Sequence, residues 1–231
     1  MTDEMDMEIF LIRHAQTLGN IEHRYIGRTD EPLSNAGIAS FCDLAYPAAN
    51  RIIISPMRRC IQTAKILYPM VKPVLETDLM EYDFGDFEGK NYEELKDNAD
   101  YRAWIASGGT MTPPKGESMI EFKRRCCDAF IKAIDQAFLD GLSSVAFIVH
   151  GGTIMTIFER FAVPSKPFYD WQTKNLGCWS AFTSKIRWLY NEFIDKKMFG
   201  GILMKVGIVS SMHGNQARVY FPDIDTVSAP L

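Results

Sequence analysis

Four short apolar runs punctuate the chain: MEIFLI at 7–12, RIIIS at 51–55, KPVLET at 72–77 and SVAFIVH at 144–150. They show little strict alternation of apolar and polar positions, the pattern of strands covered on both faces and hence of a central, largely parallel sheet. Helical patterns lie between the runs. They cover 35–46 after Ser34, 56–68 after Ser55-Pro56, 118–139 opening on Ser118 and Glu121, and 152–162 after Gly151-Gly152. A serine ahead of an apolar-periodic stretch accepts from the first free amides, and proline is tolerated at the first helical position, so these starts have local causes. Strand and helix alternate, and the predicted fold class is α/β.

Two regions depart from the alternation. SGGTMTPPKGES (107–118) is a loop by its glycines and prolines, and 82–107 holds short helical patterns ahead of it. About 82–117 therefore reads as a small cap inserted into one domain spanning 1–231. Beyond Ser184 the pattern weakens: 186–198 fits helix or strand, and ILMKVGIVSSMHGNQARVYF (202–221) reads as a hairpin turning near His213-Gly214-Asn215. This extension, about 184–231, takes no assigned role.

Composition narrows the function class. With 231 residues, 47% of them hydrophobic, the chain can bury one sizeable core. A net charge of −4 with no basic block argues against nucleic acid and against an anionic membrane surface as partners. The opening MTDEMDMEIFLIR is acidic where a secretory leader is basic, and no apolar run is long enough to span a bilayer, so a cytoplasmic protein is expected. Five cysteines without a C-x-x-C pair predict neither a disulfide framework nor a zinc site.

The candidate chemistry sits at strand ends. His14 and His150 each close a buried-looking strand, and parallel neighbouring strands would bring both to one crevice at the carboxyl edge of the sheet. Singly, either also fits a packed core histidine. Arg13, beside His14, is costly at such a place unless an anion or carboxylate meets it. In SPMRRCIQTA, a cap at Ser55 puts Arg58 and Arg59 in the first helical turn, where cations are unfavourable unless an anion is bound; two solvated arginines are the alternative. Glu81 precedes an aromatic, glycine-rich loop, and partial burial would keep its proton available, although Asp83, Asp86 and Glu88 compete for that role. Together these groups imply phosphoryl transfer through a covalent intermediate: a neutral imidazole attacks phosphorus, cations neutralise oxygens, and an acid protonates the leaving group. The scheme asks for no metal and no other cofactor.

The motifs RHAQTLGN, GRTDEPLSNAG, SPMRRCIQTA, EYDFGDFEG, KGES and VHGG stand in the order of the histidine phosphatase superfamily, the phosphoglycerate mutase-like family, which the chain resembles over about residues 7–182. The resemblance implies a three-layer α/β/α fold with a small cap. It implies that His14 is the phosphorylated nucleophile, that Arg13, Arg59 and His150 complete the phosphate pocket, and that Glu81 is the proton donor. It points to Arg59 rather than Arg58, and places Asn20, Ile26, Gly27, Tyr82 and Gly151 against phosphate or substrate. Ala15 departs from the family's usual glycine; if that position needs φ > 0, alanine strains the pocket.

A mutase of this family carries an arginine directly after the proton-donating glutamate and a long basic insertion; here Tyr82 and Asp83 follow Glu81, and the span to GES is short. FGDFEG and KGES are similar to the small bacterial branch that includes α-ribazole phosphatase. The expectation is a metal-independent phosphatase acting on a small phosphate monoester. The alternatives are mutase-type transfer and a phosphate-ester-binding protein without turnover. Tyr82, Phe84, Tyr101 and Trp104 either line the cap beside a leaving group or form its packing core.

Overall fold

The carboxyl edge of a buried strand organises the fold. In the computed structural model, which describes residues 6–42 and 44–190 and the backbone of 193–200, β1 (Asp6–Arg13) is exposed only at Asp6 and Glu8. The other strands are β2 (Arg51–Ile54), β3 (Val74–Leu75), β4 (Ser144–Val149), β5 (Ala162–Val163), β6 (Gly177–Ser184) and β7 (Phe193–Gly200). They form one sheet in the order β3-β2-β4-β1-β6-β7-β5. The block β3-β2-β4-β1 is parallel, and β6 turns antiparallel against β1.

The helices are α1 (Leu18–Ile21), α2 (Asn35–Ala39), α3 (Arg58–Leu67), α4 (Tyr92–Leu95), α5 (Ala99–Ala106), α6 (Met119–Leu139), α7 (Gly151–Phe161) and α8 (Lys185–Trp188). Successive strand side chains face opposite sides, and both sides are covered. Ile9, Leu11, Ile53, Phe147 and Val149 pack with Phe130 and Ile134 of α6 and Ile154 and Phe158 of α7. Phe10, Ile12, Ile52, Ile54 and Ile148 pack with Cys60 and Ala64 of α3. This is the α/β/α layering, and it explains why the apolar runs lack alternation. A separate aromatic cluster of Tyr25, Phe84, Phe87, Tyr101, Trp104 and Phe122 joins the segment 82–107 to α6.

Several expectations are corrected. KPVLET contributes only two paired residues, and Val74 and Leu75 are exposed because β3 is the sheet edge. The helix expected over 35–46 stops at Ala39. Ser55 does not cap α3: the helix begins at Arg58, its N-cap is Met57 without a side-chain bond, and the Asp30 carboxylate accepts from the Arg58 amide at 2.7 Å. The amide at this helix start is thus met by a carboxylate of the chain itself. The span 186–198 holds both element types, the end of α8 and most of β7. The strand β6 has no counterpart in the apolar pattern because Ser180, Thr183 and Ser184 interrupt it, although all three are buried. The hairpin expected at 202–221 lies outside the described residues. All five cysteines are free, and Cys60, Cys126 and Cys178 are buried.

Phe147, at the centre of β4, is fully buried against Phe130, ring centroids 5.1 Å apart. Phe147→Ala should cost about 3–5 kcal/mol, read as a lower urea midpoint at an unchanged denaturant slope.

Candidate active site

Parallel pairing of β1 with β4 places Arg13 opposite Val149, and the His14 amide donates to the Val149 carbonyl at 3.0 Å. His14 and His150 therefore leave adjacent strands at the same level, their rings edge to face with centroids 5.2 Å apart. Both are buried. His14 Nδ1 lies 2.8 Å from the Ala15 carbonyl, which can only accept, so Nδ1 carries the proton and Nε2 keeps its lone pair. Burial, then Arg59 and Arg13, hold the His14 pKa well below the ordinary 6.5. His150 is pushed down in the same way, first by burial and then by Arg59. Its Nδ1 accepts from Arg59 Nε at 3.2 Å, which leaves Nε2–H to donate to Ser55 Oγ at 2.8 Å.

The two guanidinium groups reach the histidines from different layers. Arg13 Nη1 donates to the Thr173 carbonyl at 2.9 Å. Arg59, fully buried, donates from Nη2 to the Gly27 carbonyl at 2.7 Å and from Nη1 to the Thr29 carbonyl at 2.8 Å. Arg58 points into solvent, so of the two arginines α3 brings only Arg59 to the site. Asn20 is set by local capping: its Oδ1 accepts from the Thr17 amide at 3.1 Å while Thr17 Oγ1 accepts from the Asn20 amide. The oxygen being committed, the amide NH₂ is the end left for a ligand oxygen.

Glu81 approaches from the opposite side. Its carboxyl is buried, Oε1 accepting from the Tyr82 amide and Oε2 from the Gly152 amide, each at 2.9 Å. Burial raises its pKa above the ordinary 4.5, against the opposing pull of these two amides and the arginines. Beside Gly152 lies an opening of about 20 Å³ lined by Tyr82, Phe84, Trp104, Met119, Phe122 and Tyr169. It has room for about one water. The aromatic set divides: Tyr82, Phe84 and Trp104 reach this opening, whereas Tyr101 packs on Tyr25 and Phe87.

The fold is that of a known group. The model of the histidine phosphatase superfamily (branch 1) matches residues 9–187. The chain belongs to the histidine phosphatase superfamily. An adenosylcobalamin/alpha-ribazole phosphatase of Salmonella typhimurium is 28% identical over 184 residues, covering 76% of this chain and 89% of the relative. Among solved structures, the alpha-ribazole phosphatase of Shigella flexneri aligns with a TM-score of 0.73 at 19% identity, covering 87% of this chain and all of that one. A phosphoglycerate mutase of Bacillus anthracis aligns at 0.68 and 20%, covering 84% and 93%. Similar folds thus carry both names, and the fold alone does not choose between them.

In this histidine phosphatase the departure at Ala15 is unstrained. Ala15 has no positive φ, its amide donates to Thr63 Oγ1 at 3.0 Å, and its methyl packs among Leu33 and Leu176. Ile26 and Gly27 are both buried, and a Cβ on Gly27 would fall 1.8 Å from the Tyr82 carbonyl. Of the glycine pair, Gly152 is the constrained member: its Cβ would fall 2.4 Å from Glu81 Oε1, whereas one on Gly151 would meet Arg13 at an ordinary 3.5 Å. Among the described residues no group of three His, Cys, Asp or Glu converges as a metal site would require.

Three contributors escape sequence reasoning. Ser55, read as a cap, holds His150. Asn175, in a segment without any motif, donates to the His14 carbonyl at 3.0 Å and to Asn20 Oδ1 at 3.2 Å. Glu88, read as one of the acids competing with Glu81 for the proton-donor role, accepts from the amides of Gly27, Arg28, Thr29 and Phe84 and from Thr29 Oγ1. It ties down the loop whose carbonyls grip Arg59; its place in FGDFEG was the one available signal. Glu88→Gln leaves a single oxygen to accept, and should cost ~2–3 kcal/mol while weakening competitive inhibition by inorganic phosphate several-fold. Asp86→Asn, at an exposed partner of Lys115, should do neither.

Proposed function

We propose that the chain is a metal-independent phosphomonoester hydrolase that works through a phosphohistidine at His14, with a small phosphorylated metabolite as substrate. The observation that carries this is the His14 ring: neutral, anchored through Nδ1, with Nε2 free beside Arg13, Arg59 and His150. The Nε2 lone pair attacks phosphorus and the bond to the leaving oxygen breaks. Arg13 and Arg59, with the Asn20 amide, neutralise the phosphoryl oxygens. His150 lines the same pocket and orients Arg59. The Gly151 end of α7 lies against Arg13, and the buried loop at Ile26 and Gly27 meets Arg59 through the Gly27 carbonyl.

Glu81 gives its proton to the departing alkoxide. Water then attacks the phosphohistidine, loses a proton to the Glu81 carboxylate, and returns the lone pair to His14. Burial favours the protonated carboxyl that the first step needs. The leaving group passes the opening beside Gly152, whose aromatic lining offers no cation to hold a second phosphate or a carboxylate. This favours water over a bound phosphorylated acceptor, and hydrolysis over mutase chemistry. The likeness to alpha-ribazole phosphatase supports a phosphorylated small molecule as substrate, within a family whose members act on phosphate esters.

Hydrolysis of an aryl phosphate in excess chelator should persist and should be abolished by His14→Ala. Label from a phosphorylated substrate should be acid-labile and base-stable; the reverse stability would indicate an acyl phosphate and remove His14 as nucleophile. Rapid isomerisation of 3-phosphoglycerate primed with 2,3-bisphosphoglycerate, without phosphate release, would establish the mutase instead.

For an alkyl phosphate, kcat/KM should be bell-shaped in pH. Protonating His14 removes the attacking lone pair, so the acid limb should lie below 6.5, the ordinary value from which His14 is lowered. Deprotonating Glu81 removes the acid, so activity should fall on the basic side through a pKa above 4.5, the value from which Glu81 is raised. An acid limb at or above 6.5 would contradict the His14 environment.

A further inference from the structure

Glu81 is held at its carboxyl end by two amides, but its backbone depends on a different group, the guanidinium of Arg125 on α6. Arg125 Nη1 donates to the carbonyls of Asp78 and Met80, each at 2.7 Å, and Nη2 donates to the carbonyl of Glu81 itself at 3.0 Å. Nε and Nη2 also bind the Glu117 carboxylate, at 2.6 and 2.8 Å. All five N–H donors of a guanidinium are thereby engaged. The side chain is only 12% exposed and stacks over Phe122, which lines the opening beside Gly152. Glu117 is in turn approached by Arg28 Nη2 at 3.8 Å. Three successive turns of chain, at 78–81, 117 and 125, are therefore locked through one planar cation.

We propose that Arg125, oriented by Glu117, is a positioning residue for the proton donor: it sets where the Glu81 carboxyl stands relative to the leaving oxygen, without touching substrate. The fork geometry is the reason for arginine here. Three carbonyls and a bidentate carboxylate need five directed donors in one plane, and the three donors of a lysine cannot span them. The segment 78–81 includes only one short 3₁₀ turn, Thr77–Leu79, so it has little internal rigidity to supply in place of Arg125. Acid catalysis is sensitive to displacements of about an ångström, and the anchored oxygen lies two bonds from the Glu81 Cα.

The inference rests on Glu81 as general acid, and the two are separable by leaving group. An aryl phosphate such as 4-nitrophenyl phosphate expels a phenolate that needs no proton, whereas an alkyl phosphate such as glycerol phosphate expels an alkoxide that does. The parameter to compare is kcat/KM, which reads the first phosphoryl transfer and is blind to hydrolysis of the phosphohistidine. Glu81→Gln should lower kcat/KM for the alkyl ester by about 10²–10⁴ and for the aryl ester by less than about tenfold.

Arg125→Lys and Arg125→Met should show the same selectivity, losing at least about tenfold more on the alkyl than on the aryl ester, with the inhibition constant for inorganic phosphate unchanged. Equal losses on both esters, or no loss on either, would overturn the role of Arg125 while leaving Glu81 in place. If Glu81→Gln itself shows no selectivity, the general acid is misassigned and the positioning role falls with it. Should the Arg125 variants fail to fold by circular dichroism, Glu117→Gln, which keeps the carbonyl bonds but frees the fork, is judged by the same ratio: a smaller loss in the same direction supports the inference, and an unselective one overturns it.

Discussion

Two guanidinium groups buried beside two imidazoles set the terms for the rest of the molecule. Removing Arg13 and Arg59 from water is expensive unless oxygen atoms replace the solvent, and the chain supplies them as main-chain carbonyls at Thr173, Gly27 and Thr29. Carbonyls satisfy hydrogen bonds without cancelling charge. The positive potential therefore persists, and it adds to burial, the larger cause, in holding the pKa of both histidines down.

Keeping those carbonyls in place falls to carboxylates one layer further out. Glu88 gathers the amides of the loop at 27–29 and thereby aims it at Arg59. Glu117 orients Arg125, which gathers the carbonyls of 78–81 and so holds the Glu81 backbone. The surroundings of Arg59 and those of Glu81 are thus built on separate supports. The glycines at 27 and 152 mark where each support closes tightly on its neighbour, against the Tyr82 carbonyl and the Glu81 carboxyl respectively.

The superfamily's shared fold explains why a phosphatase and a mutase align with this chain about equally well. What differs between such chemistries is the lining beyond the common pocket. Here that lining is Tyr82, Phe84, Trp104 and Phe122, packed edge to face around an opening of single-water size.

The α/β class, the strands at 7–12, 51–54 and 144–149, and the start of α6 at Ser118 were legible in the sequence, because they depend on local hydrophobic runs and capping. The two histidines were legible for a related reason: polar groups at the ends of buried runs have few places to go; Glu81 was singled out from Asp83, Asp86 and Glu88 only by the family resemblance. Local pattern misjudged Ser55, whose hydroxyl serves His150 across the sheet, and Glu88, whose five donors include four from the 27–29 loop, about 60 positions away. It was silent on β6, Asn175 and Arg125. The sequence by itself determined which chemical groups are present and which segments carry them. What holds Glu81 was decided only by tertiary structure, because Gly152 and Arg125 lie far from it along the chain; which nitrogen of His14 is free depends on how the backbone turns the neighbouring Ala15 carbonyl toward the ring, and no side-chain pattern encodes that turn.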